Sequence, residues 1–160
     1  VEYLEKVVRR LLQREEDLKE YYSSVLSAFE LDDGHFLHKE DKSFFEKMMQ
    51  IIDSHIQDTE LSVELLSNSL GYSTRQFYRK LKNITDKTPA DIIREYRLTI
   101  VERLLLTTQL SIEEIMDKTG FSNRGTFYKA FAQRFEMTPK QYRKIKAKDV
   151  QESSEEGASE

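Results

Sequence analysis

The 160-residue sequence predicts an all-α fold: two similar pairs of short helices flank a long linker helix, and a long amphipathic helix runs ahead of them. Three observations predict it. Apolar residues recur at helical spacing through most of the chain. Glycine and proline are scarce, with 5 and 2 residues, while 34% of residues are charged. And residues 61–142 repeat themselves. Leu61-Ser62-Val63-Glu64, Gly71-Tyr72-Ser73-Thr74-Arg75, Phe77-Tyr78-Arg79 and Thr88-Pro89 return as Leu110-Ser111-Ile112-Glu113, Gly120-Phe121-Ser122-Asn123-Arg124, Phe127-Tyr128-Lys129 and Thr138-Pro139. The offset is 49 residues up to Arg124 and 50 from Phe127, so one residue enters near Gly125. Two copies are too few for a solenoid and fit a duplicated motif within one domain.

The chain should begin with a coiled-coil-like helix. Leu4, Leu11, Leu18 and Val25 are spaced by seven, and Val8, Glu15, Tyr22 and Phe29 follow each by four. That seam suits a two-stranded coiled coil, hence a homodimer through the N-terminal helix, or a single helix packed on an upstream domain. Gly34 should stop this helix in a left-handed turn. A polar linker through Asp41 follows, and then Ser43 and Glu46 form a capping box for a helix of about a dozen residues. Its apolar positions Phe44, Phe45, Met48, Met49, Ile51, Ile52 and Ile56 fall at helical spacing, with the Met pair as core filler. His35, His38 and His55 lack partners at metal-ligand spacing and are expected on the surface or in the linker.

Each repeat unit should be a short helix, a glycine turn and a second helix. In the first, a helix over about 62–70 ends at Gly71, and Ser73 with Gln76 caps a helix to about Asn83. Thr88-Pro89 then starts a linker helix to about Thr107, with Asp91 in its first turn favouring the dipole. About 19 residues span roughly 28 Å, against about 34 Å for one turn of B-DNA. In the second unit Ser111 and Glu114 cap a helix to about Lys118, Gly120 turns the chain, and a helix follows from Asn123 to about Phe135. A basic helix starts at Thr138-Pro139. Residues 149–160, rich in Glu and Ser, are expected to be a disordered acidic tail. The resulting division is 1–40 amphipathic helix and linker, 41–148 double helix-turn-helix domain, and 149–160 tail.

Charge separates along these lines. Residues 1–60 hold 8 Lys/Arg against 15 Asp/Glu, residues 61–148 hold 17 against 9, and residues 149–160 hold none against 5. The repeat is therefore the basic part of a chain whose net charge is −4, which points to nucleic acid or another anionic surface. Helix-turn-helix pairs place their second helix in the major groove of DNA. Facing away from the core on the two second helices should be Thr74, Arg75, Gln76, Tyr78, Arg79 and Lys82, and Asn123, Arg124, Thr126, Tyr128, Lys129 and Gln133. No acidic residue occurs at 73–85 or at 121–135, in contrast to the Glu/Lys mixture of an ordinary solvated helix face. The expected base-contacting residues are Arg75, Gln76, Tyr78, Arg79, Asn123, Arg124, Thr126 and Lys129. Ser73, Thr74, Lys82, Tyr128, Arg94, Arg97, Lys140, Arg143 and Lys144 are expected at the phosphate backbone. Phe77, Leu81, Phe127, Phe131 and Phe135 belong to the core and not to a base-stacking platform.

Taken together, Leu70 to Lys82, Thr88 to Leu98, Gly120-Phe121-Ser122, Phe127-Tyr128-Lys129-Ala130-Phe131 and Thr138 to Arg143 resemble the DNA-binding domain of AraC/XylS-type bacterial transcription regulators. The resemblance covers residues 44–148. It implies two helix-turn-helix units on a long helix, both reading adjacent major grooves, with base contacts at Arg75, Tyr78, Arg79, Arg124, Thr126 and Lys129. Asp86 and Glu136 stand where the family usually has glycine, Met116 and Val101 replace small residues, and Thr99 replaces a basic one. Phe-Tyr-Arg-Lys-Leu-Lys, preceded by an amphipathic helix with Tyr21-Tyr22-Ser23, is similar to output domains of response regulators of the (hybrid) two-component type.

The expected partners are double-stranded promoter DNA, RNA polymerase and a second copy of the chain. The competing reading is a helical protein-interaction module that does not bind DNA. No cofactor, metal or catalytic constellation is expected, so the chain should not be an enzyme. No cysteine and no apolar run of about 18 residues occur, which suits a cytoplasmic protein without membrane contact. Opening at Val1 in what looks like mid-helix, it has the look of a piece of a longer protein.

Overall fold

In a computed structural model of the chain, residues 1–33 and 39–157 are described, the side chains of 10–12, 26–33, 150, 151 and 154–157 excepted. Eight helices follow one another among them: α1 (Glu2–Asp33), α2 (Lys39–Ser54), α3 (Val63–Ser69), α4 (Thr74–Lys82), α5 (Pro89–Thr107), α6 (Ile112–Thr119), α7 (Arg124–Phe135) and α8 (Pro139–Gly157). They fall into two compact units, 1–96 and 97–160, and α5 runs from one into the other.

In the first unit, α2 carries most of the core. Phe45, Met48, Met49 and Ile52 are fully buried, joined by Leu66 of α3, Phe77 and Leu81 of α4, and Ile92 and Tyr96 from the first half of α5. Burying side chains of this size stabilises by about 1.5–3 kcal/mol each relative to exposure. α2 begins four residues before the expected Ser43 cap. Lys39 to Lys42 are helix-compatible, and Glu40 and Asp41 in the first turn suit the positive end of the helix dipole. Gly34, His35 and His38 lie outside the described residues. His55, half-buried, has its Nδ1 3.0 Å from the Ile51 carbonyl.

The heptad of α1 divides in two. Leu18, Tyr21 and Val25 are buried in the chain's own core, whereas Leu4 is 66% and Val8 45% exposed. The Tyr21 hydroxyl donates to Glu95 Oε2 at 2.9 Å, and its ring lies 5.5 Å from that of Tyr96. Arg14 donates to the carboxylate and the carbonyl of Asp53 at 3.0 and 2.9 Å, and the Tyr96 hydroxyl reaches the same carboxylate at 2.6 Å. Leu18 and Val25, expected on a dimer seam, are thus spent within the protomer, because α1 packs on α2 in this unit.

The second unit is built on the rest of α5. Leu98, Val101 and Leu105 pack with Ile115 and Met116 of α6, Phe127, Ala130 and Phe131 of α7, and Tyr142 of α8. Val101 and Met116 are core filler here. Residues 149–157, expected to be disordered, continue α8 to Gly157. Nothing in 140–156 breaks a helix, Gln and Glu are good helix formers, and Lys146 pairs with Asp149 one turn on. Among the described residues no helix is long and apolar enough to cross a membrane.

Candidate nucleic-acid interface

The same local devices shape both units. Ser62 caps α3 by accepting from the Leu65 N–H. Gly71, at φ 77, makes the turn into α4 that a side chain would resist. Ser73 and Gln76 form a reciprocal capping box on α4, at 3.2 and 3.0 Å. In the second unit Ser111 and Glu114 form the same box on α6, Gly120 turns at φ 79, and Asn123 caps α7 by accepting from the Thr126 N–H at 2.9 Å. The Thr-Pro pairs repeat as well. Thr88 and Asp91 cap α5 reciprocally, and Thr138 and Gln141 do so for α8.

Each recognition helix is anchored by its aromatic face. Phe77 is fully buried and lies 5.7 Å from Phe44. Phe127 and Phe131 are fully buried and stack with Phe121, Phe135 and Tyr142. That leaves Arg75, Tyr78, Arg79 and Lys82 exposed at positions i, i+3, i+4 and i+7, one face of α4 with Thr74 at its start. The Tyr78 ring is 47% exposed although its edge meets Phe77. On α7 Arg124, Thr126, Lys129 and Gln133 are exposed, as is the N-cap Asn123, with Tyr128 half-buried beneath Arg124.

Several expected contact residues carry a bond within the fold. Gln76 Oε1 and Asn123 Oδ1 are acceptors in the caps just described, which orients each amide toward its own helix start while leaving its NH2 without a role in the cap. Arg94 is paired with Asp91 at 2.7 Å, Arg97 is half-buried, and Lys140 and Lys144 are exposed on α8. Arg143, expected at a phosphate, instead donates to the carbonyls of Leu105 and Leu110 at 3.0 and 2.7 Å, with a longer bond to Thr108. It thus ties the last turn of α5, where a cation also meets the negative end of the dipole, to the loop that follows it.

Arg124 has the most built surroundings of the set. Its Nη1 donates to Glu113 Oε1 of α6 at 2.6 Å, and its guanidinium lies 5.3 Å from the centre of the Tyr128 ring. The acid-free window around α7 hid Glu113, because it comes from the other helix of the unit. Sequence spacing does not mark the pair: Glu64 precedes Arg75 by the same 11 residues as Glu113 precedes Arg124, but Arg75 is the second residue of α4 and Arg124 the first of α7.

Two helix pairs, each with a buried aromatic face and an exposed basic one, define a double helix-turn-helix domain. A helix-turn-helix domain family model matches residues 66–145, and the chain belongs to this AraC-type helix-turn-helix family. Over 102 residues, 64% of this chain, it is 31% identical to Histidine kinase P4 of Formosa agariphila, of which the match covers 7%. It is 34% identical over 92 residues to the regulatory protein SoxS of Escherichia coli K12, covering 58% of this chain and 85% of SoxS. Among solved structures, the C-terminal domain of the two-component response regulator yesN from Fusobacterium nucleatum matches with a TM-score of 0.57 and 30% identity, covering 61% of this chain and 95% of that one.

Proposed function

We propose that the chain is the sequence-specific, double-stranded-DNA-binding output domain of a bacterial transcription regulator in a two-component system, acting in the cytoplasm. The observation that carries this reading is the duplicated recognition helix: twice, the fold buries aromatics on one face and turns toward solvent a face of Arg, Lys, Thr and Tyr with no acid of its own. Such a face supplies bidentate donors for guanine from arginine and positioning contacts for phosphates. The likeness to the C-terminal domain of a two-component response regulator and to a part of a histidine kinase supports the two-component setting. α5 is uninterrupted for 19 residues, and we assign it the role of spacer between two readers on successive major grooves.

Fluorescence anisotropy on labelled duplex DNA tests the reading. Binding weakens steeply with salt, with a log–log slope of about −0.9 per phosphate neutralised, and Arg79→Ala and Lys129→Ala each reduce it by about tenfold or more. No retention of duplex DNA even at low salt contradicts the reading and favours the protein-interaction module. We assign self-association to the exposed start of α1, around Leu4 and Val8. Sedimentation of the same samples checks this, and a monomer at every concentration removes that assignment for this chain.

A further inference from the structure

We propose that Glu113 is a specificity-determining positioning residue: by holding the Arg124 guanidinium it makes that arginine a base reader instead of a phosphate anchor. The proposal rests on the DNA-binding reading above.

Arg124 opens α7, and Glu113 lies in the first turn of α6, so the contact joins the two helices of one helix-turn-helix unit. The pair is short, 2.6 Å, with side chains 65% and 63% exposed. As an isolated surface ion pair it would add little to stability. Two further contacts restrict the guanidinium: the Tyr128 ring at 5.3 Å beneath it and the Tyr128 hydroxyl at 3.4 Å from Nη2. Tyr128 is in turn fixed edge-on against the fully buried Phe127, at 5.5 Å. The arginine is therefore located by a carboxylate on one side and by an anchored ring on the other.

Arginine has five N–H donors in a planar fork. Glu113 engages one nitrogen, and enough of the fork remains for the O6 and N7 acceptors of a guanine. A phosphate is a different ligand. It is read mainly through charge, and a carboxylate in contact with the guanidinium offsets that charge and repels the phosphate itself. The pair thus leaves directional hydrogen bonding intact while lowering indiscriminate attraction to the backbone, which raises discrimination at some expense of affinity.

The first unit provides an internal comparison. Glu64 is placed as Glu113 is, second in its helix, but the first residue of the following helix, Arg124 in α7, is Thr74 in α4, so the first unit has no arginine at that place. The two readers differ in chemistry at this point, and only the second is restrained.

The test compares the wild-type chain with Glu113→Gln, Arg124→Ala, the double variant, and Glu64→Gln. Each is titrated against a selected duplex and a scrambled duplex over a range of salt. Glu113→Gln, which keeps the shape and removes the charge, is expected to bind scrambled DNA more tightly and to lower the selected-to-scrambled ratio by about five- to tenfold, within the range one arginine–guanine contact commands. Its salt slope should steepen by up to about one unit, one phosphate gained. In the Arg124→Ala background the same change should do nothing to the ratio, and Glu64→Gln should leave it within about twofold. A purely structural role for Glu113 would shift thermal unfolding and leave ratio and slope unchanged, and that result overturns the proposal. So does an equal effect of Glu113→Gln in the presence and absence of Arg124. If wild type discriminates between duplexes and Glu113→Gln matches it, this proposal alone fails. If wild type does not bind DNA, the DNA-binding reading fails with it.

Discussion

At Glu136 the backbone takes φ 59 and ψ 22 to end α7, its N–H bonding back to the Ala132 carbonyl. A left-handed conformation costs an L-residue about 1–2 kcal/mol. Glycine avoids that penalty but loses more entropy on folding, which returns part of the gain. Glu136→Gly should therefore stabilise the protein by about 0.5–1 kcal/mol, seen as a higher urea midpoint with an unchanged slope; a lower midpoint contradicts the assignment. Asp86, at the matching place in the first unit, does not share the positive φ. Both positions depart from the glycine that the family resemblance led one to expect, and the sequence did not distinguish them. The closure of a helix depends on the direction the chain takes next, which packing sets. The same limit applied to Arg143. Its place in a basic helix suggests a phosphate ligand, and only the folded chain brings it to the carbonyls of Leu105 in α5 and Leu110 in the following loop.

Helices were more legible than their partners. Ser62, Ser73, Thr88, Ser111, Asn123 and Thr138 mark helix starts within a residue or two, because a cap is a local hydrogen bond between side chain and backbone. Lys39 to Lys42 and residues 149–157 fall within α2 and α8 without an apolar period to announce it, being made of polar helix formers. The seam of α1 misled for a different reason. A heptad specifies that one face will be buried and does not say by what, and the Arg14–Asp53–Tyr96 cluster with the Tyr21–Glu95 bond gives that face to the chain's own core. A comparable polar contact fastens α8. The buried Tyr142 donates to Glu102 Oε1 of α5 at 2.6 Å. Burial foremost, and then the bond to the Glu102 carboxylate, push the phenol up to about 12 from its ordinary value of 10.0. A raised pKa means that the neutral phenol is favoured in the folded state. The stabilisation is complete below pH 10 and is lost as pH rises through 12. In an ultraviolet titration the exposed tyrosines should ionise first and Tyr142 later, and Tyr142→Phe should make the alkaline loss of stability between pH 10 and 12 shallower. An unaltered alkaline profile contradicts this anchoring of α8.

For the whole molecule, the duplication is the organising fact, and the two copies differ in chemistry. The first recognition helix presents Arg75, Tyr78, Arg79 and Lys82 with Gln76 turned back into its cap. The second presents a restrained Arg124, then Gly125, Thr126 and Lys129, with Asn123 as its cap. The caps Ser73 and Asn123 are already 50 residues apart while Gly71 and Gly120 are 49, so the extra residue enters the turn ahead of Asn123 and not at Gly125, where a Cβ would come within 3.3 Å of the capping Asn123 Oδ1. Two different readers should recognise two different short sequences, and the role of spacer proposed for α5 calls for those sequences to lie about one turn of DNA apart. The measurement that bears most directly on this account is selection of bound sequences from a random duplex pool by the wild-type chain. The account predicts a motif of two short, dissimilar blocks about one turn apart, with Arg79→Ala degrading one block and Arg124→Ala the other. A single block, two identical blocks, or a pool that never enriches would contradict it.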